Sequence, residues 1–155
     1  MRPAANTPSG QPAPYDPDPS SARATAVSKT VAARAAAMMF IRVAAWLAVL
    51  TIIVLSVVPG NLRPHVLGND YFEHLAAYFI AGGLLAVGFP CPMQQLASWS
   101  LLATCAGVLE LLQRSIPDRT ASIGEFATGV FGAGLGIMAI FVIRQAFGRT
   151  SALSP

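Results

Sequence analysis

Charge is scarce in this sequence. Only 11% of its 155 residues are Asp, Glu, Lys or Arg, while 54% are hydrophobic; a soluble domain carries about 25% charge. Together with a mean hydropathy of +0.58, that shortage excludes an ordinary soluble globular domain and points to a membrane protein with a polar tail. Cysteine is also scarce. Cys91 and Cys105 form no Cys-x-x-Cys or Cys/His spacing, so they suggest neither a disulfide framework nor a zinc site. The basic residues, nine Arg and one Lys, are scattered without interleaved aromatics, so no nucleic acid partner is expected. There is no nucleophile elbow and no paired phosphate-binding motif, and no cofactor is expected.

What remains is long apolar sequence. Four runs, at roughly 40–58, 72–89, 96–113 and 123–143, each approach the ~20 residues that cross a ~30 Å hydrocarbon core. Backbone groups in lipid must be satisfied within the segment, so helices are the solution. The expected fold is all-α, an integral membrane four-helix bundle with both termini cytoplasmic and a disordered N-terminal tail. Residues 1–36 form that Pro/Ala-rich tail, 37–145 the transmembrane domain and 146–155 a short C-terminal tail. Half of the 12 prolines stand in the first twenty residues, which suits disorder. The stretch "ARATAVSKTVAARAAA" has good helix formers able to extend the first membrane helix. A signal peptide is the alternative for the first apolar run, but "SVVPGN" is a poor cleavage site and the run is read as a retained helix.

Orientation follows from positive charge. Arg2, Arg23, Lys29, Arg34, Arg42, Arg144 and Arg149 fall on one side, against Arg63, Arg114 and Arg119 on the other. The larger set marks the cytoplasm, so the loops near 59–71 and 114–122 face outward and "GFPCPMQQ" is an inner turn.

Five of the seven acidic residues, Asp70, Glu73, Glu110, Asp118 and Glu125, then map to outer helix ends or outer loops, level with His65 and His74. Ionisable groups inside membrane helices cost about 2.5–3.5 kcal/mol each at mid-helix on insertion scales, which makes such a layer a candidate site. In "NDYFEHLAAYF", Asp70, His74 and Tyr78 recur at i, i+4 and i+8 and share one helix stripe. Asp70 as an N-cap with Glu73 three residues on is the competing reading, and Tyr78 as an interfacial anchor is another. Ser122 and Glu125 have the spacing of a capping box at the start of the fourth helix. Glu110 is different. It nears the C-terminal end of its helix, where the dipole disfavours an anion, so either it pairs with Arg114 and snorkels outward or it shares a polar pocket with Gln113, one turn on. Arg119, in "SIPDRT", has the chemistry to neutralise a carboxylate or hold an anion; lipid phosphate is its bland partner. Thr128, Gly132 and Gly136 make small-xxx-small steps that suit helix packing.

The order of these pieces resembles the VanZ-like family of bacterial membrane proteins over about residues 55–140. The motifs are Asp70-x-x-x-His74 with Tyr78, "ELLQ" with Glu110 and Gln113, then "PDRTAS" with Arg119 and Ser122, and a Gly-rich last helix. The family usually has Lys where Tyr71 stands, and Asp and Asn in place of Glu125 and Thr128. The resemblance implies a multi-pass protein of the bacterial plasma membrane and a cell-envelope setting linked to teicoplanin-type glycopeptide resistance.

Three function classes follow. The first is binding: Asp70, His74, Glu110, Gln113, Arg119, Ser122 and Glu125 line an outer pocket for the head group of a membrane lipid, a lipid-linked envelope precursor or a lipoglycopeptide. The second is a hydrolase of an envelope-lipid phosphoester or acyl ester, with His74 and Glu110 as its catalytic candidates and Arg119 as the anion stabiliser. The third is a structural or transporter-partner subunit, assembling as a homo-oligomer through the Gly-rich fourth helix. A divalent metal at Asp70, His74, Glu110 and Glu125 is a minor variant of the site.

Overall fold

The computed structural model describes residues 19–59, 69–116 and 122–151. Four helices make up these segments: α1 Pro19–Val57, α2 Asp70–Gly88, α3 Pro92–Gln113 and α4 Ile123–Ser151. Each is long and apolar enough to cross a membrane. Even α2, at 19 residues, spans about 28 Å at 1.5 Å per residue, close to the hydrocarbon thickness.

The chain divides into two compact units, Met1–Ala35 and Ala36–Pro155. In the first, residues 19–35 are helical, so helix begins well before the residue-36 boundary expected for a disordered tail. Pro19 suits a first helical turn, where its missing N–H is no loss, and the Ala, Arg and Lys that follow are strong helix formers. Thr25 and Thr30 return their hydroxyls to the carbonyls of Ser21 and Ala26, at 2.9 and 2.7 Å. Residues 1–18 lie outside the described residues. At the other terminus α4 runs on to Ser151, past the expected tail boundary at 145.

In the second unit each helix buries one narrow stripe. Ala45, Val49, Ile52 and Ser56 come from α1; His74, Tyr78, Ala81 and Leu85 from α2; Ser98, Leu102, Ala106, Leu109, Glu110 and Gln113 from α3. Spacings of three and four keep each set on one face. The exposed faces are apolar instead: Phe72, Phe79 and Ile80 on α2, Leu101, Val108 and Leu111 on α3, Phe131, Leu135 and Met138 on α4. Large apolar residues on the outer faces, with the buried polar groups turned inward, is the distribution a lipid solvent selects.

Helices α2 and α4 make the closest crossing. A Cβ on Gly132 would stand 2.5 Å from the Leu75 carbonyl oxygen, and one on Gly136 would overlap the Phe79 carbonyl oxygen. Only glycine permits that approach. The small-residue face of α4 is therefore spent within the chain, and the homo-oligomer expected through it would need another surface.

At the far end of α2, two arginines close off the helix. Arg42 Nε donates to the Gly88 carbonyl at 2.9 Å, and Arg144 Nη2 donates to those of Ala86 and Val87 at 3.0 and 3.3 Å. The Arg42 guanidinium also lies 5.0 Å from the Phe89 ring centroid. Cations at a helix C-terminus meet its negative dipole end and its orphan carbonyls together.

Candidate functional site

The opposite end of the bundle collects the start of α2, the end of α3 and the start of α4. Asn69 sets where α2 begins: its backbone is extended (φ −146, ψ 117) and its Oδ1 accepts from the Tyr71 N–H at 2.9 Å. Asn69 is thus the N-cap, and the cap reading of Asp70 is corrected to the first helical position. Both residue types cap well, but one register had to win.

One turn into α2, the His74 side chain reaches back to the Asp70 backbone carbonyl. Its Nδ1 sits 3.0 Å from that oxygen. A carbonyl only accepts, so Nδ1 carries a proton, and in the neutral tautomer Nε2 is the lone-pair nitrogen. Four residues on, the Tyr78 ring lies roughly parallel to the imidazole, with centroids 6.3 Å apart and planes 13° apart.

His74 Nε2 faces Glu125 Oε2 at 3.6 Å, both side chains about nine-tenths buried. Glu110, buried on α3, approaches the same place. One ligand-type atom from each of His74, Glu110 and Glu125 lies within 4.8 Å of the other two.

Glu110 resolves two of the sequence alternatives. Among the described residues no ion pair joins it to Arg114, which is exposed. Its Oε2 instead accepts from the Ser122 backbone N–H at 2.7 Å. That is the hydrogen bond a capping box would give to Glu125. The capping-box reading of Ser122 and Glu125 is therefore corrected: a carboxylate from α3 caps α4, and Glu125 faces His74. An anion that the α3 dipole disfavours is held by the positive end of the next helix.

Gln113 is 1% exposed. Its Nε2 donates to the Ser56 carbonyl at 3.2 Å, tying the end of α3 to the end of α1, while its Oε1 is buried with no hydrogen-bond partner. Thr128, one turn beyond Glu125, returns its hydroxyl to the Glu125 carbonyl at 2.9 Å. Arg119, Asp118 and His65 lie outside the described residues.

Beside the cluster, between α3 and α4, runs a groove of about 290 Å³ lined by Glu110, Arg114, Ser122 and Phe126, with Gly107, Leu111 and Ile123. It joins a carboxylate and a guanidinium at the polar end to an apolar wall. Such a combination accepts hydrogen-bond donors, pairs with an anionic oxygen and shelters a hydrocarbon chain.

Four residues hold structural positions that the sequence reading does not assign them. Asn69 was signalled by its position before Asp70, since Asn is as good a cap as Asp. Arg42 and Arg144 read only as topology charges, because which carbonyls they meet depends on how α1 and α4 pass α2. Trp99, whose Nε1 donates to the Val130 carbonyl at 3.2 Å, likewise needs the α3–α4 packing to be known. No protein-family model matches the chain, and neither a curated protein nor a solved structure matches it.

Proposed function

We propose that this chain is a VanZ-like protein of the bacterial plasma membrane that holds the polar head of an envelope lipid at the outer end of its bundle. One observation carries the reading: His74, Glu110 and Glu125, from three different helices, meet at a single point beside a groove that has apolar walls. His74, Glu110 and Ser122, which carry part of the resemblance, meet there as well. The excess of Arg and Lys on the side of the termini supports a cytoplasmic N- and C-terminus, which turns the cluster outward.

Glu110 accepts donors such as sugar hydroxyls or amides, and Arg114 pairs with a phosphate or carboxylate oxygen. The ligand class is therefore a lipid whose head bears both, as lipid-linked envelope precursors and lipoglycopeptides do. Native mass spectrometry of the full chain tests this, released from nanodiscs containing phosphatidylglycerol, a polyprenyl-phosphate-linked sugar, or teicoplanin with phosphatidylcholine. Retention of the sugar lipid or teicoplanin over phosphatidylglycerol, weakened at least about tenfold by Glu110→Ala with Arg114→Ala, is the expected result; each lost charged hydrogen bond removes about 1.5–3 kcal/mol. Equal retention by the double variant removes the groove from the account.

The imidazole supplies a specific reason for a second reading. With Nδ1 fixed on a carbonyl, Nε2 is oriented as a general base, and a hydrolase acting on the same lipid would use it to deprotonate water. Turnover of the retained lipid by the wild-type chain, lost in His74→Gln, separates hydrolysis from binding.

A further inference from the structure

We infer that His74, Glu110 and Glu125 form a binding site for one divalent transition-metal ion, zinc being the best fit. The inference deepens the head-group reading, since it names what occupies the heart of the same site.

The first observation is convergence: a nitrogen and two carboxylate oxygens, supplied by α2, α3 and α4, lie within 4.8 Å of one another. Ligands about 2.0–2.1 Å from a tetrahedral zinc ion stand about 3.3 Å apart. The 3.6 Å between His74 Nε2 and Glu125 Oε2 is near that ligand-to-ligand spacing.

The second observation is the orientation of the imidazole. His74 is nine-tenths buried, and Nδ1 holds a proton against the Asp70 carbonyl, so in the neutral ring Nε2 is an acceptor facing the Glu125 carboxylate. Among the described residues it makes no hydrogen bond; its separation from Glu125 exceeds hydrogen-bond range. A buried lone pair aimed at a carboxylate is satisfied by a cation between them. The ring is also oriented as metal-bound histidines are, with the remote N–H on a backbone carbonyl that fixes tautomer and direction.

The donor set decides the metal class. One imidazole and two carboxylates suit zinc, or manganese where oxygen donors are added, and lack the thiolates that draw copper(I). Three protein ligands also leave a coordination position for water or for a head-group oxygen.

The test uses the full chain purified in detergent without added metal or chelator. Elemental analysis is expected to find zinc at one equivalent per chain, and the chelated protein to rebind zinc in calorimetry. Cobalt(II) is expected to give visible ligand-field bands that zinc displaces. His74→Gln, Glu110→Gln and Glu125→Gln keep side-chain size, and each is expected to weaken zinc binding at least about 100-fold; circular dichroism verifies that each remains helical. A wild-type chain that neither carries nor rebinds zinc or manganese overturns the inference, as does unchanged binding in the helical Glu125→Gln variant. Failure here is distinguishable from failure of the head-group reading, because metal content is measured without lipid and lipid retention can be measured after chelation.

Discussion

The two ends of this bundle handle charge in opposite ways. Where α2 finishes, Arg42 and Arg144 each donate to a backbone carbonyl that the helix itself cannot satisfy. Where α2 begins, His74 and Glu125 face each other with Glu110 close by. Charges at the first end are spent on the fold; at the second they are held near one another by the fold. Burying like charges together is costly for a fold. The Ser122 N–H on Glu110 offsets part of that cost.

Breaking the link between the ends should have the largest effect. Gly136→Leu drives a side chain into the Phe79 carbonyl where α2 and α4 cross, and backbone on both sides leaves it nowhere to go. A loss of about 3 kcal/mol or more is expected, measured as a fall in Tm in detergent, with lipid retention lost as well. Phe131→Leu, on the exposed face of α4, should leave both readouts unchanged, which ties the effect to the crossing rather than to α4 in general.

The arginine end should respond next. Arg144→Ala leaves the carbonyls of Ala86 and Val87 without their charged donor and is expected to cost about 2 kcal/mol; Arg42→Ala, at a more exposed position, should cost about 1 kcal/mol. Both should lower Tm and leave lipid retention and metal content as they were. Loss of ligand binding in Arg144→Ala, at a temperature where the variant is folded, would mean that the two ends are coupled and the contrast fails.

Long-range order in the sequence accounts for which features could be anticipated. Four helices followed from apolar length, because lipid leaves the backbone few options. Glu110 stood out because its position near a helix C-terminus has no local explanation, and the structure gives it a partner twelve residues on, at Ser122. Ser122 and Glu125 misled for the same physical reason in reverse: their spacing has a good local explanation, and a carboxylate from another helix took the bond first. Asp70 lost the cap to its neighbour Asn69 by one residue of register. The roles of Arg42 and Arg144 depend on contacts 46 and 58 residues away, which no spacing rule reaches.

The sign of the effect should invert at the acidic end. Glu110→Gln keeps an oxygen for the Ser122 N–H and removes a buried negative charge beside Glu125. In metal-free protein this should raise stability by about 1 kcal/mol while head-group retention and metal binding fall. Chemical denaturation of the chelated protein by circular dichroism checks the sign. A destabilised variant would show that the Glu110 charge belongs to the fold, as the arginines do.

Gln113 is the residue that the contrast places least easily, and its replacement should change stability least. Its Nε2 is spent on the Ser56 carbonyl, in the manner of the arginines, but its Oε1 is buried and unspent. Gln113→Met keeps the volume, removes one buried acceptor that lacks a partner and leaves the Ser56 carbonyl without this donor. The two changes oppose each other, so stability should move by less than about 1 kcal/mol. If the unspent oxygen is held for a ligand, head-group retention should still fall about fivefold, the worth of one hydrogen bond of about 1 kcal/mol. Higher stability with retention unchanged would assign Gln113 to the fold and confine the site to His74, Glu110 and Glu125. The measurement thus fixes how far along α3 the functional end extends, because Gln113 is the last residue of that helix and the only link among the described hydrogen bonds from it to α1.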